Sequence, residues 1–187
     1  MRIIGGKLKG STLYLPKNKD TRPLKDMVRE SIFNLLKHSN KVLFEVEKSS
    51  VLDLYSGTGS FGLECLSRQA KNVIFVEKEK DSIHILQKNI EKLKLESKTK
   101  IIFDDINKVT IEKKILHLKF DLIFCDPPFK NKDIVKLIDL ISNSKLLKKN
   151  GIFVLHRNKK TNEIFPSFFN IIEERIYGIS KIIFAKF

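Results

Sequence analysis

From residue 50 onward the chain alternates short apolar runs with amphipathic stretches, and this alternation constrains its fold more than any other feature. The apolar runs are rich in Val, Ile, Leu and Phe along their length, as are strands that are buried on both faces of a sheet. We predict five such strands: Ser50–Leu54, Asn72–Val76, Lys100–Phe103, Asp121–Cys125 and Gly151–Leu155.

Between these strands, apolar residues recur at the spacing of one helical face. The three clearest stripes are Phe61, Gly62, Cys65 and Leu66; Ile83, Leu86, Ile90 and Leu93; and Ile134, Leu137, Ile138 and Ile141. Parallel strands joined through helices use right-handed crossovers. The sequence therefore predicts a doubly wound, mostly parallel α/β sheet.

The C-terminal part departs from this pattern. Two extended runs, Phe168–Ile172 and Ile179–Phe187, flank a turn at Tyr177 and Gly178. Runs separated by such a turn are typical of an antiparallel hairpin. We expect this hairpin to close one edge of the sheet and to bring the number of strands to seven.

The N-terminal part differs as well. Met1–Ile4 and Thr12–Leu15 are short β-like runs separated by glycines, which predicts a small hairpin. Lys25–Lys37 carries apolar residues at helical spacing and predicts a helix. We therefore expect a basic appendage over residues 1–40 and a main domain over residues 41–187.

Charge points to a polyanionic partner. Lys and Arg number 36 against 22 Asp and Glu, a formal net charge of +14. Such a surplus attracts anions, and nucleic acids in particular. Most of these residues are Lys, in a chain also rich in Ile and Asn, so codon bias and solvated lysine faces are the alternative explanation.

Several classes of protein are excluded or disfavoured. No apolar run approaches the roughly 20 residues that a membrane span requires, and no signal-peptide core is visible, so we expect a cytoplasmic protein without a membrane. Cys65 and Cys125 lie in apolar patterns typical of the core. The four histidines show no ligand spacing, so we predict no metal.

The loop after the first predicted strand carries the first sign of a ligand. Gly57, Gly59 and Gly62 form G-x-G-x-x-G where a strand turns into a helix, the place where doubly wound sheets bind ligands. Asp53 precedes the glycines and would repel the pyrophosphate of a dinucleotide. It would attract the sulfonium and ammonium of S-adenosylmethionine. The alternative role for Asp53 is to cap the helix or brace the loop.

Acids also follow the next two predicted strands. Glu77 ends the second strand, where a carboxylate can accept hydrogen bonds from both ribose hydroxyls of an adenosyl group. Asp105 follows the third strand and is placed to accept the adenine amino group, with Ile106 against the ring. Asp104 is the alternative, because the end of a predicted strand is uncertain by a residue or two. Tyr55, Ser56, Lys78 and Asp126, which follows the fourth predicted strand, complete the predicted cofactor site with Gly57 and Gly59.

The segment Asp126-Pro127-Pro128-Phe129 follows the fourth predicted strand. Two prolines cannot extend a sheet and impose a rigid turn. The Asp126 carboxylate and the Pro127 carbonyl could then accept both hydrogens of an exocyclic base amine and orient its nitrogen. Phe129 offers a flat face for the base. No Ser-His-Asp or Cys-His arrangement is expected to compete for this site, and the alternative is an ordinary proline turn.

These residues give the chain a resemblance to a known family, the RsmD-type 16S ribosomal RNA guanine-N2 methyltransferases, over nearly its whole length. The resemblance rests on residues 1–10, Arg22 and Pro23, Asp26, residues 28–34, 51–62, 66–68, 76–78 and 126–129, and Tyr177 with Gly178. Leu24 and Lys25 stand where members commonly carry a Thr, which puts a hydroxyl role there in doubt.

The resemblance implies a Rossmann-like class I methyltransferase. It implies that S-adenosylmethionine donates a methyl group to N2 of a guanine in small-subunit ribosomal RNA, on assembled or partly assembled particles, with the enzyme acting as a monomer. We expect Lys7, Lys9, Arg22 and Arg29 to contact RNA. The alternative for Arg29 is a structural ion pair with Asp26, one helical turn away.

Rival functions share parts of this pattern. A DNA adenine-N6 methyltransferase would carry both motifs, and a protein glutamine methyltransferase would use the same proline chemistry but fits the basic appendage poorly. A non-catalytic RNA-binding protein of the same fold would be expected to have lost Asp126 or the glycines, which are present. A plain NAD-binding domain is disfavoured by Asp53.

Overall fold

The computed structural model describes residues 1–16, 24–106, 114–115, 117–131 and 133–187. Seven strands form its sheet: β1 Ser50–Leu54, β2 Asn72–Glu77, β3 Thr99–Phe103, β4 Phe120–Cys125, β5 Leu147–Asn158, β6 Asn170–Tyr177 and β7 Ser180–Lys186. Their spatial order is β3-β2-β1-β4-β5-β7-β6. The seven strands predicted for the sheet are all present, although β5 begins four residues earlier and ends three residues later than its apolar run.

Five strands of this sheet are parallel. β1 lies between β2 and β4, with β3 and β5 outside them, and all four of these pairings are parallel. β7 then pairs antiparallel with both β5 and β6. The predicted doubly wound sheet with an antiparallel C-terminal hairpin is confirmed, and β7 inserts between β5 and β6, so that β6 forms the edge.

The helices in the described ranges pack on both faces of the sheet. They are α1 Asp26–His38, α2 Ser60–Ser67, α3 Lys80–Leu93 and α4 Ile134–Asn143, with a 3₁₀ turn at Glu96–Lys98. Every member of the three predicted apolar stripes is buried. Within the described part of the chain, no helix is both long enough and apolar enough to cross a membrane.

Two hydrophobic clusters fill the space between sheet and helices. One joins α1, α2 and α3 to one face of the sheet, and the other joins α4 to the opposite face. In the first, the ring of Phe61 stacks between those of Phe33 and Phe124, at centroid distances of 5.1 and 3.9 Å. Ile3 and Leu13 belong to this same cluster, so the N-terminal segment shares its core with the sheet.

The predicted N-terminal hairpin is present in reduced form, as an antiparallel bridge without two full strands. The segment does fold back, with the Ile3 amide donating to Ser11, but its β-pairing is the single bridge between Arg2 and Thr12. Neighbouring backbone amides donate to helix side chains instead of to a strand: Ile4 and Gly5 to the Glu64 carboxylate, each at 2.7 Å, and Tyr14 to Asn89 Oδ1 at 2.7 Å. These bonds attach the segment to α2 and α3.

Candidate active site

A cavity of about 580 Å³ opens at the carboxyl ends of β1 to β4. This is the edge at which doubly wound sheets bind ligands. It brings together most of the predicted site: Asp53, Tyr55, Ser56, Gly57, Glu77, Lys78, Asp105, Ile106, Asp126, Pro127, Pro128 and Phe129 all line it. The strand ends thus place residues from four separate loops around one space.

Gly59 belongs to the wall behind the cavity instead of to its lining. It has φ +82° and immediately precedes α2. A Cβ atom added there would stand 2.3 Å from Leu86 Cδ1, so both the backbone angle and the packing of α3 require glycine. Gly57 has φ +53°, and a Cβ there would meet nothing within 4 Å. Gly57 therefore faces open space.

Asp53 reaches the cavity from β1 and is 1% exposed. Its Oδ2 accepts a hydrogen bond from the Gly62 amide at 2.9 Å, so the bracing role is present in the structure. Burial raises the pKa of Asp53 well above its ordinary value, and the Gly62 hydrogen bond opposes that rise only in part. A cation in the cavity would stabilise the ionised form further.

The Glu77 carboxylate organises the glycine loop. Its Oε2 accepts from the Gly57 amide at 2.7 Å, and its Oε1 accepts from the amides of Lys78 and Glu79 at 2.8 and 2.9 Å. An ionised carboxylate has about four acceptor directions. Three are used by the backbone, so one acceptor direction is left for a ligand hydroxyl, whereas we predicted bonds from both ribose hydroxyls.

Asp104 and Asp105 both line the cavity beyond β3. Asp105 Oδ2 lies 3.3 Å from Lys78 Nζ, and Asp104 Oδ2 lies 2.8 Å from Lys114 Nζ. Ile106 is 4% exposed and packs in the hydrophobic cluster around α4, so its contact with the adenine ring stays a prediction. Asp105 stays the prediction for the adenine amino group, with Asp104 as its alternative.

Tyr55 and Ser56 connect the glycine loop to its neighbours. The Ser56 amide donates to the Val76 carbonyl at 3.1 Å, which joins the ends of β1 and β2. The Tyr55 hydroxyl accepts from Asn131 Nδ2 at 3.1 Å. Tyr55 therefore links the first loop to the loop that follows Phe129.

The carboxylate of Asp126 is held by a histidine that we did not predict. His156 Nδ1 lies 2.7 Å from Asp126 Oδ1, and His156 Nε2 lies 2.9 Å from Ser180 Oγ. Cys125 of β4 is the register partner of Leu155 of β5, so the next residues, Asp126 just after β4 and His156 within β5, lie side by side. Both predicted strands ended one residue before these two, so parallel register was the signal that could have found the pair.

A Ser-His-Asp arrangement that we did not predict therefore lies beside this site, although it does not have the order of a hydrolase triad. β7 brings Ser180 to His156 from 24 residues away, which spacing along the sequence does not reveal. The chain of hydrogen bonds runs opposite to that of a serine hydrolase, in which the hydroxyl faces the substrate and the carboxylate is buried. Here Ser180 is buried at 8% exposure, and the Asp126 side chain is the more exposed end at 22%.

The turn of the two prolines is clamped from β5. Pro127 is buried and Pro128 exposed. Arg157, 2% exposed, donates from Nη1 to the Pro128 carbonyl at 3.3 Å and from Nη2 to the Asn131 carbonyl at 2.9 Å. Its Nε donates to Glu163 at 2.6 Å. Sequence reasoning missed Arg157, because its role depends on the same β4–β5 register.

The four residues that we predicted to contact RNA have different outcomes. Lys7 and Lys9 are exposed, as a phosphate contact requires. Arg22 lies outside the described residues. The prediction for Arg29 is wrong: the side chain is fully buried, bonded to Asp26 at 3.1 Å and to the Arg2 carbonyl at 2.5 Å. The alternative that we gave, a structural ion pair with Asp26, describes it correctly.

Arg29 also pairs with Glu64, at 3.6 Å between Nε and Oε2, inside the protein. Burial lowers the pKa of Arg29 from its ordinary value, and the nearby Glu64 and Asp26 carboxylates oppose that change. Since Glu64 also holds the N-terminal amides, this pair joins α1, α2 and the N-terminal segment.

Among the described residues, no group of three or more His, Cys, Asp or Glu is arranged to hold a metal ion.

Comparison with known proteins gives concordant results. A family model described as conserved hypothetical protein 95 matches residues 1–186. The chain is 31% identical over 179 residues to the Haemophilus influenzae ribosomal RNA small subunit methyltransferase D, covering 96% of this chain and 90% of that protein. It is also similar to a solved candidate methylase of Haemophilus influenzae, HI0767, with TM-score 0.75, 30% identity, and coverage of 98% and 96%.

A more distant likeness concerns the fold alone. The solved structure of SMU.776, a candidate methyltransferase in complex with SAH, matches with TM-score 0.66 at 18% identity. The match covers 86% of this chain and 48% of that one.

Proposed function

The chain belongs to the RsmD-type methyltransferase family, described as conserved hypothetical protein 95, and on that premise we propose that it transfers a methyl group from S-adenosylmethionine to N2 of a guanine in small-subunit ribosomal RNA. One observation carries the proposal: a single cavity holds acids from successive strand ends together with Asp126 and Phe129. The acids suit a cationic methyl donor, and Asp126 with Phe129 suits a flat ring that carries an amine.

The donor side of the cavity fits S-adenosylmethionine in size and charge. The volume of about 580 Å³ lies within the range that small-molecule sites occupy. Gly57 keeps the cavity wall open, and Asp53 places a buried carboxylate near the glycine loop. Glu77 has acceptor capacity left for a ribose hydroxyl. We assign Asp105 and Ile106 to the adenine.

When bound, S-adenosylmethionine supplies a methyl carbon whose bond to sulfur breaks with both electrons going to the sulfur. The protein acts on the acceptor. Asp126 and the Pro127 carbonyl accept the two N–H groups of the guanine amine, which orients the nitrogen lone pair toward that carbon. The proton that leaves the methylated nitrogen passes to the Asp126 carboxylate. Catalysis comes from the positioning of the amine and from the preorganised polar groups that hold it, and needs no nucleophilic side chain.

The acceptor must leave its base stack to reach this cavity, as in other enzymes that modify bases. Phe129 offers a ring face on which an extruded base can stack, a contact worth roughly 1–3 kcal/mol. The exposed Lys7 and Lys9 are placed on the N-terminal segment, outside the cavity. We assign them to contacts with RNA phosphates, which fix the position of the enzyme on the RNA and do not distinguish one base from another.

A methyl-transfer assay with purified components tests the proposal. Labelled S-adenosylmethionine is offered with small-subunit particles that lack the modification, with the naked RNA, and with double-stranded DNA. We expect labelled N2-methylguanosine from the particles or the naked RNA. Label in N6-methyladenosine of DNA would favour the adenine methyltransferase, and binding of RNA without any labelled product would favour a non-catalytic protein.

A further inference from the structure

We propose that His156 is a positioning residue for the methyl transfer: it holds the carboxylate that accepts the target amine and the ring that stacks the target base in one fixed geometry. The inference deepens the proposed function and rests on it. It concerns a residue that lines the same cavity.

The first contact is with Asp126. His156 Nδ1 lies 2.7 Å from Asp126 Oδ1, a short distance that matches a charge-assisted hydrogen bond. An ionised carboxylate can only accept, so Nδ1 carries the proton and donates it to this bond. With Oδ1 held in this way, Oδ2 is the oxygen that we assign to the guanine amine.

The second contact is with Ser180, whose hydroxyl bonds to the other ring nitrogen and so orients the ring. Nε2 lies 2.9 Å from Ser180 Oγ. Because a neutral imidazole with its proton on Nδ1 accepts at Nε2, the Ser180 hydroxyl donates to it. In metal and triad sites, a hydrogen-bond partner on the far nitrogen of a histidine likewise orients the ring.

The third contact is with Phe129. The two rings meet edge to face, with centroids 5.5 Å apart and planes at 80°. Such contacts are directional and restrict both rings. His156 therefore touches both residues that we assign to the guanine, and its own side chain is nearly buried at 9% exposure. A rigid strand, β5, carries it, which suits a group whose function is to position others.

Three variants separate this role from mere packing. His156→Phe keeps a ring for Phe129 but removes the bond to Asp126. His156→Asn keeps an N–H donor at the place of Nδ1, because the amide nitrogen is the same number of bonds from Cβ. His156→Gln puts its amide nitrogen at the place of Nε2 and so loses the donor to Asp126. His84→Asn, at an exposed position on α3, is the matched control.

The experiment measures kcat, KM for the RNA particle, and the Kd for S-adenosylmethionine. We expect His156→Phe to lower kcat about 100-fold, the size of effect produced by misplacing a reacting group by about 1 Å. Its Kd for the cofactor and its KM should change little. His156→Asn should recover more of kcat than His156→Gln, and Ser180→Ala should lower kcat by less than His156→Phe.

Equal kcat values for His156→Asn and His156→Gln would overturn the inference, as would a His156→Phe enzyme within about twofold of the native kcat. If His156→Phe does not fold, the order of the Asn and Gln variants decides. A native protein that methylates no RNA defeats the proposed function itself. An active native protein with unaffected variants defeats only the role of His156.

Discussion

Oδ2 of Asp53 accepts a hydrogen bond from the backbone amide of Gly62 at 2.9 Å, across the start of α2. This bond anchors a carboxylate that is almost fully buried at the floor of the cavity. Burial raises its pKa well above the ordinary value, and the amide offsets that effect only in part. Ionised Asp53 therefore destabilises the ligand-free folded protein, and a bound cation would reduce that destabilisation.

Asp53→Asn should stabilise the ligand-free protein at neutral pH. The unfolded aspartate titrates near 4, below the raised pKa of the folded state, so the unfolded chain loses its proton first. The free energy of unfolding therefore falls as pH rises from the unfolded to the folded pKa. Asn can still accept from Gly62 and has no charge to desolvate. We expect a higher Tm near pH 7 and a weaker loss of stability between acid and neutral pH, measured by thermal unfolding.

The same variant should bind S-adenosylmethionine more weakly. A hydrogen bond to a charged group contributes about 1.5–3 kcal/mol, which corresponds to roughly a 10- to 150-fold increase in Kd. Titration calorimetry of the native protein and the Asp53→Asn variant measures it. An unchanged Kd would mean that Asp53 only braces the Gly62 amide, the alternative role that its sequence position also allowed.

Arg29→Met should reduce stability and leave RNA binding intact. The change removes a buried charge from Glu64 and a donor from the Arg2 carbonyl. Breaking one side of a buried pair costs on the order of 3 kcal/mol, which denaturant unfolding can measure. Glu30→Gln, at an exposed position of the same helix, is the control. A loss of RNA affinity with no loss of stability would restore the direct RNA contact that burial argues against.

The double variant Lys7→Ala with Lys9→Ala should weaken binding to the same extent for RNAs of different sequence. Each lysine that neutralises a phosphate contributes about 0.7–0.9 to the slope of log K against log salt, so the double variant should lose roughly 1.5 of that slope. Lys98→Ala with Lys100→Ala is the control, because these exposed residues lie at the start of β3, outside the N-terminal segment. Equal effects of the two pairs would indicate a diffuse lysine surface and no defined contact.

Much of this architecture follows from local sequence. The strands and helices were predictable because buried parallel strands are continuously apolar and the helices carry one apolar face. The acids were predictable because a strand that ends in an acid, such as β2 at Glu77, presents it at the sheet edge where ligands bind.

The remainder depends on tertiary register. His156 meets Asp126 and Ser180 only because β5 lies between β4 and β7, and the relevant residues are 30 and 24 positions apart in sequence. Arg29 resembles a surface residue by type, and its burial follows from the position of Glu64 on α2. Short-range patterns carry no information about such contacts.

Mass spectrometry of ribosomal RNA nucleosides from cells lacking this protein measures whether it methylates a guanine of the small-subunit RNA. The small-subunit RNA should lose one N2-methylguanosine. The native chain should restore it, and Asp126→Ala should not, although its Kd for S-adenosylmethionine stays close to native. An unchanged N2-methylguanosine content in the deleted cells, or full restoration by Asp126→Ala, would contradict the account.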